Sequence, residues 1–509
     1  MSGLGGSVPR AGLFFLFKIV LICVLSVPSL AHDMQPEEIY AKCHGRLSDY
    51  PVNIDSSDYK SVKAGTLDPI KACEKILNRT MFVNSGTRKL LKNQNDKIAI
   101  ATLRNFNEFH KSWFTSLGSI PNSQDATLYN FIDHTEPALF ITDALFGNMH
   151  YSTIFTRQSS IRGFRRGVAT DNYVVRNINF KNRKIFSGPV DREKPEAIPE
   201  NVEVIDFNKV KQGYLTGIEP TPKMLIRPDG RMVRDEITDS LLRSTSEDVA
   251  QFDISKNAGG GILGSMAYLN FNGEANSRLN GGVRVHRRMA NNTFYDLMCL
   301  SLPTLTDKDV NAYMNKYKNS KLSFRKDKSC AQCHASLDPF ANAARNHMSA
   351  LTASNTFRST ISKKEGFSGS MTLRYLLPYK VRINEQSNAD NDNLYHRRAP
   401  MGELHYRNYD GKRVFQRVNG LSDLGSKIAA QEDIYICAAQ RYYHFLTGVN
   451  ISVAHKSSGN FYETHRKKVV QIGKSLKKHG SLKRMIVDIL NTEAFKTRAP
   501  NFDLVEGGD

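Results

Sequence analysis

The sequence predicts a mainly α-helical protein of several segments, and three observations carry that expectation. Leu482, Met485, Ile486, Ile489 and Leu490 recur at i, i+3, i+4 spacing, the mark of one buried helix face. Phe106, Phe109 and Trp113 repeat that spacing in the first quarter of the chain. Turn residues and short alternating runs, which argue against helix, concentrate in one stretch from about 157 to 257. The 509 residues, 40% apolar and 24% charged, suffice for two or three domains. That composition excludes a disordered or fibrous chain.

Taken in order, residues 1–31 read as a secretory signal. Arg10 supplies the positive region, Ala11 to Leu25 an apolar stretch interrupted by Lys18, and Ser29-Leu30-Ala31 a small-x-small cleavage site. Ile22 stands before Cys23 where a lipoprotein needs a small residue, so a lipid anchor is not expected. No second long apolar run follows, so no transmembrane span is expected after cleavage, and the expected location is the periplasm or the cell surface.

Residues 32–156 are expected to form an N-terminal helical domain. Gln35 to Lys92 reads as helical and carries Cys43 and Cys73, best read as a disulfide that clamps two helices. Leu103 to Leu117 is an amphipathic helix whose aromatic stripe reads as core, and Tyr129 to Phe155 continues the helical, apolar pattern. Residues 157–257 are expected to be an irregular or small β-containing middle segment, from Pro189, Pro195 and Pro199, the Pro228-Asp229-Gly230 turn and alternation over Tyr173 to Ile178.

Residues 258–415 open on Gly259-Gly260-Gly261. Without a preceding strand or a following P-loop Lys, these glycines read as a flexible lead into a helix and not as a phosphate cradle. Leu297-Met298-Cys299-Leu300 ends a helix, with Pro303 as its stop. Residues 416–509 are expected to be a C-terminal helical domain, including Leu424 to Leu446 with Cys437 and the stripe at 482–490.

Loss of Cys23 with the signal leaves six cysteines, for which an oxidising compartment makes disulfides the default. Two belong to a different pattern. Ser329-Cys330-Ala331-Gln332-Cys333-His334 contains C-x-x-C-H, the haem c attachment signature. Two thiols three residues apart on one helical turn can add to the two vinyl groups of a porphyrin edge, and the adjacent His then binds iron from the proximal side. Composition alone gives roughly 0.003 chance matches in such a chain. A thioredoxin-like pair lacks its βαβ context, and half a zinc site lacks its second ligand pair; a tight local disulfide is the third rival. Cys43-His44 is not a second motif, because position 40 is Tyr40. The motif therefore points to one covalent haem c, with Cys330 and Cys333 as attachment points and His334 as iron ligand. The candidate distal ligand is Met401, from the loop-like Pro400-Met401-Gly402; His347, Met348 and Met371 also lie downstream, and an open or His-ligated site is the alternative.

Seventy basic against fifty acidic residues give a net charge of +20. Arg466, Lys467, Lys468, Lys474, Lys477, Lys478, Lys483 and Arg484 crowd one C-terminal region. They form either a solvated helix face or a docking surface for an acidic redox partner or an anionic envelope polymer. Export and the lack of aromatic-basic interleaving argue against nucleic acid. No Ser-His-Asp or paired-carboxylate set stands out. One-electron transfer is the first functional expectation; a haem oxidoreductase and a polymer-binding protein with a structural haem are the alternatives.

Three blocks of sequence give a further reading. They are Gly261-Ile262-Leu263 through Val283 to Cys299; Cys330 to Pro339, with Asp338-Pro339 after the C-x-x-C-H; and Gly402-Glu403-Leu404 and Asp410-Gly411 through Cys437 and Tyr443 to Thr447-Gly448, closing with Asn491-Thr492-Glu493-Ala494-Phe495. Their order, over about residues 258 to 498, resembles the planctomycete-type cytochrome c-like proteins, large exported proteins of several linked domains around a central C-x-x-C-H. Arg104 to Gly118 resembles a more upstream helix of that family. Ala341 stands where the family usually has Gly after the Asp-Pro, which bears on the turn leaving the motif helix. The resemblance implies a cytochrome c-like region in 258–415 that binds haem c through Cys330, Cys333 and His334. It also implies a disulfide between Cys299 and Cys437. It implies no substrate.

Overall fold

The computed structural model describes residues 33–115, 129–130, 133–166, 176–179, 201–206, 214–221, 225–226, 249–250, 252–253, 256–272, 286–320, 323–357, 371–381, 398–454 and 460–498. The expected signal, residues 1–31, lies outside them, as do Leu117, Pro189 to Pro199, the Pro228-Asp229-Gly230 turn and Val283. The described chain is mainly helical with several small sheets.

Local signals set the first helices. In α1 (Pro36–Ser48), Pro36 occupies the first turn and Gln35 and Glu38 cap each other reciprocally. The helix stops at Asp49, in the left-handed region at φ 49°. Ser56 caps α2 (Ser57–Lys63), and the Asp68 carboxylate accepts the Lys71 N–H at the start of α3 (Pro69–Arg79). Cys43 of α1 and Cys73 of α3, both fully buried, are joined as a disulfide. The helical reading up to Lys92 is corrected at this point. Phe82–Ser85 (β1) and Arg88–Leu91 (β2) form an antiparallel hairpin turning at Gly86, whose φ of 61° no helix accommodates.

Asp96 caps α4 (Lys97–Lys111), which packs on α5 (Glu136–Phe146). Phe106 and Trp113 are buried in the core, as the aromatic stripe predicts. The described part of the middle segment is mainly strand. Ile161–Arg166 (β3) and Tyr214–Pro220 (β4) extend the first hairpin into an antiparallel sheet of order β1-β2-β4-β3, and 176–179 pairs with 201–206 in a smaller sheet.

Gly259, Gly260 and Gly261 all have positive φ and lie directly on other backbone: a Cβ on Gly261 would collide with the Ile154 carbonyl, and one on Gly260 with the Leu421 carbonyl. The glycine run is thus a close-packed crossing point and not a flexible lead. Beyond it come α6 (Met266–Asn272) and α7 (Arg287–Asn292), which runs into a π turn at Thr293–Leu297. Then follow α8 (Asp307–Lys316) and α9 (Lys328–Ala341). Two antiparallel ribbons come next, β5 (His347–Phe357) with β6 (Met371–Val381) and β7 (Met401–Arg407) with β8 (Arg413–Asn419). Strands therefore also follow the motif helix, outside the middle segment to which the sequence reading assigned them. The chain closes with α10 (Gly420–Ala429), α11 (Asp433–Thr447), α12 (Asn460–His479), α13 (Leu482–Leu490) and α14 (Glu493–Lys496). All five residues of the 482–490 stripe are buried.

One hydrophobic core runs from Ile39 to Phe495, so the segments read as 32–156, 258–415 and 416–509 share an interior. The first and last described segments meet: Lys42 Nζ donates to the Phe495 carbonyl at 2.7 Å, and the Met34 N–H to the Lys496 carbonyl at 3.1 Å. A satellite cluster of Leu305, Val310, Tyr313, Ala331 and Ala335 joins α8 to α9. Among the described residues, no helix is long and apolar enough to cross a membrane.

Candidate functional site

The C-x-x-C-H occupies the first two turns of α9. Asp327 caps the helix by accepting the Cys330 N–H at 3.1 Å, and it also receives the Ser329 hydroxyl. Cys330, Cys333 and His334 stand at i, i+3 and i+4, which places them on one helix face, and all three are partly exposed. Cys330 and Cys333 are free thiols, whereas Cys299 of the π-turn segment is bonded to Cys437 of α11, alongside the Cys43–Cys73 bond. These are the two pairs that the sequence and the resemblance lead one to expect. Burial, followed by the neighbouring Cys330, pushes the Cys333 thiol up from its ordinary range. That is opposite to the depressed thiol of a redox-active dithiol. A 3-10 turn at Ser323–Arg325, not a strand, leads into α9.

His334 is held on two sides. Its Nδ1 lies 3.1 Å from Asp338 Oδ1, one turn further along α9. Its ring packs on Phe324 with centroids 4.3 Å apart. With Asp338 as acceptor the proton sits on Nδ1, and Nε2 keeps its lone pair; among the described residues Nε2 has no hydrogen bond. The side chain is 22% exposed.

Asp338 gathers this corner of the molecule. Arg287 Nε of α7 donates to Oδ1 at 2.5 Å, the Tyr313 hydroxyl of α8 donates to Oδ2 at 2.8 Å, and Arg325 Nε lies 4.0 Å from Oδ2. Burial acts to raise the carboxyl's pKa, but the His334 hydrogen bond and the Arg287 charge outweigh it and hold it down to about 2. Arg287 and Arg325 also stack over Phe324 at 5.3 and 5.6 Å, and Arg325 over Tyr317 at 4.5 Å. These groups fix the ring that packs on His334.

Pro339 explains how α9 is clipped to the next ribbon. Inside a helix, proline has no N–H to give to the carbonyl four residues back, here Ala335. The buried His405 of β7 supplies the missing donor to that carbonyl, while its Nε2 accepts from Arg413 Nε at 3.0 Å. Burial first, then the Arg413 charge, pull the His405 pKa down to about 4, so the ring stays neutral and keeps both roles. Further along α9, Gly402 lies so close that a Cβ on it would collide with the Pro339 carbonyl and crowd the Ala343 nitrogen, a contact that a side chain would prevent.

The same geometry places Met401. It opens β7 with 63% of its surface exposed, and its neighbour Gly402 sits at Pro339 and Ala343, beyond the His334 turn. The groups packed on the motif imidazole are Phe324 and Asp338. His347 is buried and its carbonyl accepts from His286 Nε2 at 2.6 Å; Met348 and Met371 lie on β5 and β6. Sequence reasoning missed Arg287, Tyr313, Phe324 and His405, and it noted Asp338 only as half of an Asp-Pro pair. The i, i+4 step from His334 to Asp338 was the available signal.

Two free thiols and an imidazole with a free Nε2 on one helix face fit covalent haem c. Among the described residues, no three His, Cys, Asp or Glu side chains converge as a group able to hold a metal ion.

The basic cluster divides by environment. Lys467, Lys468, Lys474 and Lys478 of α12 and Arg484 of α13 are exposed, whereas Arg466 donates to the Tyr409 carbonyl at 3.1 Å. Burial pulls Lys483 down to about 8. Comparison with protein-family models, with curated proteins and with solved structures gives no match.

Proposed function

We propose that this is an exported mono-haem c-type protein that moves single electrons in the cell envelope, in the periplasm or at the cell surface. The observation that carries the reading is the chemistry of α9. Two free thiols and the Nε2 face of His334 share one side of the helix, while the other four cysteines outside the expected signal are tied as Cys43–Cys73 and Cys299–Cys437. Cys330 and Cys333 would hold the porphyrin edge and His334 the iron. A haem bound there supplies reversible Fe(III)/Fe(II) exchange.

The chain's own residues do the rest. Asp338 holds the His334 ring by its Nδ1 proton, Phe324 supports one ring face, and Arg287 and Arg325 steady Phe324. The exposed Lys467, Lys468, Lys474 and Lys478 offer a positive face to an acidic redox partner, whose encounter such charge accelerates. The test is a reduced-minus-oxidised visible spectrum of the protein exported from a host that matures haem c, repeated after denaturation and extraction. A c-type spectrum that survives extraction is expected; its absence contradicts the reading.

One observation favours a second reading. Met401 stands exposed beyond the His334 turn, and a haem iron without a distal thioether keeps a coordination position for substrate. The protein is then a haem oxidoreductase. Cyanide binding to the oxidised protein separates the two: ready binding favours the enzyme, resistance favours the electron carrier.

A further inference from the structure

Resting on the haem c reading above, we propose that Asp338 is the positioning residue for His334. It holds the imidazole proton on Nδ1, presents Nε2 as the ligating atom and raises that atom's basicity, so that the site favours the oxidised form of the iron. His334 and Asp338 are one turn apart on α9 and therefore share a face, with Nδ1 3.1 Å from Oδ1. The Asp338 carboxylate is only 5% exposed and cannot turn to solvent. A ligating histidine whose second nitrogen donates to a carboxylate is fixed in tautomer and orientation and becomes a stronger donor to the metal.

The shell around that carboxylate is graded. Arg287 Nε donates at 2.5 Å to Oδ1, the oxygen that faces His334, and the Tyr313 hydroxyl at 2.8 Å to Oδ2; both draw charge from the carboxylate. They limit the pull on the imidazole proton. Asp338 therefore strengthens the ligand while Arg287 and Tyr313 restrain it, and removing the two kinds of residue moves the potential in opposite directions.

The experiment is a spectroelectrochemical titration of the mature, haem-loaded protein and its variants. Asp338→Asn is expected to raise the midpoint potential, because a neutral amide pulls less on the Nδ1 proton. Tyr313→Phe is expected to lower it, because the carboxylate regains the charge that the phenol drew off. Asp338→Glu is expected to return the potential towards the wild-type value. A merely structural loosening of α9 shifts Asp338→Asn and Tyr313→Phe in the same direction, and that result, or no shift in either, overturns the inference. If Asp338→Asn does not fold, the sign of the Tyr313→Phe shift decides. A wild-type protein without covalent haem defeats the haem reading itself, whereas haem present with same-sign shifts defeats only the role of Asp338.

Discussion

His110 and His334 each lie on a helix against aromatic rings, and their surroundings differ at every other point. His110 is fully buried on α4 among Phe106, Phe109, Trp113 and Tyr442. Both of its nitrogens are used, Nδ1 with Thr142 Oγ1 at 2.8 Å and Nε2 with the Tyr442 hydroxyl at 2.6 Å. Burial pulls its pKa down to about 3. It is a neutral core histidine that stitches α4 and α5 to α11. His334 is partly exposed, has one nitrogen engaged, and stands beside two free thiols. Aromatic company does not separate the two residues; burial, the unspent nitrogen and the cysteines next to it do.

The largest effect expected from breaking this contrast is at the motif. Cys330→Ser or Cys333→Ser leaves one attachment point, and the double variant leaves none. Stained denaturing gels should show loss of covalent haem, complete in the double variant, with the polypeptide still exported. A retained haem band in the double variant contradicts the assignment.

The closed side of the comparison predicts stability losses with no spectral change. Removing the Cys299–Cys437 bond, which spans 138 residues, costs up to about 5 kcal/mol in the chain-entropy picture, against about 4 kcal/mol for Cys43–Cys73, which spans 30. Denaturant unfolding of the two double-alanine variants measures the order. Next comes His110→Phe, which keeps the ring shape but leaves the buried Tyr442 hydroxyl without its partner. A loss of about 2–3 kcal/mol is expected, with the visible spectrum unchanged. A spectral change in His110→Phe would break the contrast.

A smaller, pH-dependent effect separates buried acids from the buried base. Burial pushes Glu136 and Asp296 up to about 7. Each binds its proton more tightly folded than unfolded, so its contribution is full below the ordinary carboxylate range and is lost as pH rises through 7. His110 acts in the opposite direction: its contribution is present above the ordinary imidazole value of 6.5 and is lost as pH falls towards 3. Denaturant midpoints between pH 4 and 8 should show the alkaline decline flattened in Glu136→Gln and the acid decline flattened in His110→Phe. The smallest effect is expected at Met401. Its exposure and its place beyond the His334 turn predict that Met401→Leu leaves the oxidised spectrum unchanged. A lost thioether signature would place it on the iron after all.

The same contrast shows what the sequence makes legible. The 482–490 stripe and the 106–113 aromatics read correctly because helical periodicity is a local property, and C-x-x-C-H is visible directly because the motif lies in five consecutive residues. The β7–β8 hairpin did not read as strands, although Asp410-Gly411 lies at its turn and Gly411 has a φ of 73°. The alternation of Gly402, Leu404 and Tyr406 is masked by His405, which is buried on the other face to serve the carbonyl that Pro339 leaves open. Arg287 lies 51 residues from Asp338 in sequence, and Tyr313 lies 25 away, so their convergence on one carboxylate is set by how α7, α8 and α9 pack. The motif is local and legible; the groups that hold its histidine arrive through tertiary structure.

The central claim is that Cys330 and Cys333 carry haem while the other four cysteines carry disulfides. The most direct measurement is the intact mass of the mature protein under denaturing, non-reducing conditions, followed by mapping of the peptide that spans 328–341. The account predicts a chain heavier by one haem, with the added mass on the peptide containing Cys330, Cys333 and His334. A chain at its bare polypeptide mass, with Cys330 and Cys333 recovered as thiols or as a disulfide, contradicts it.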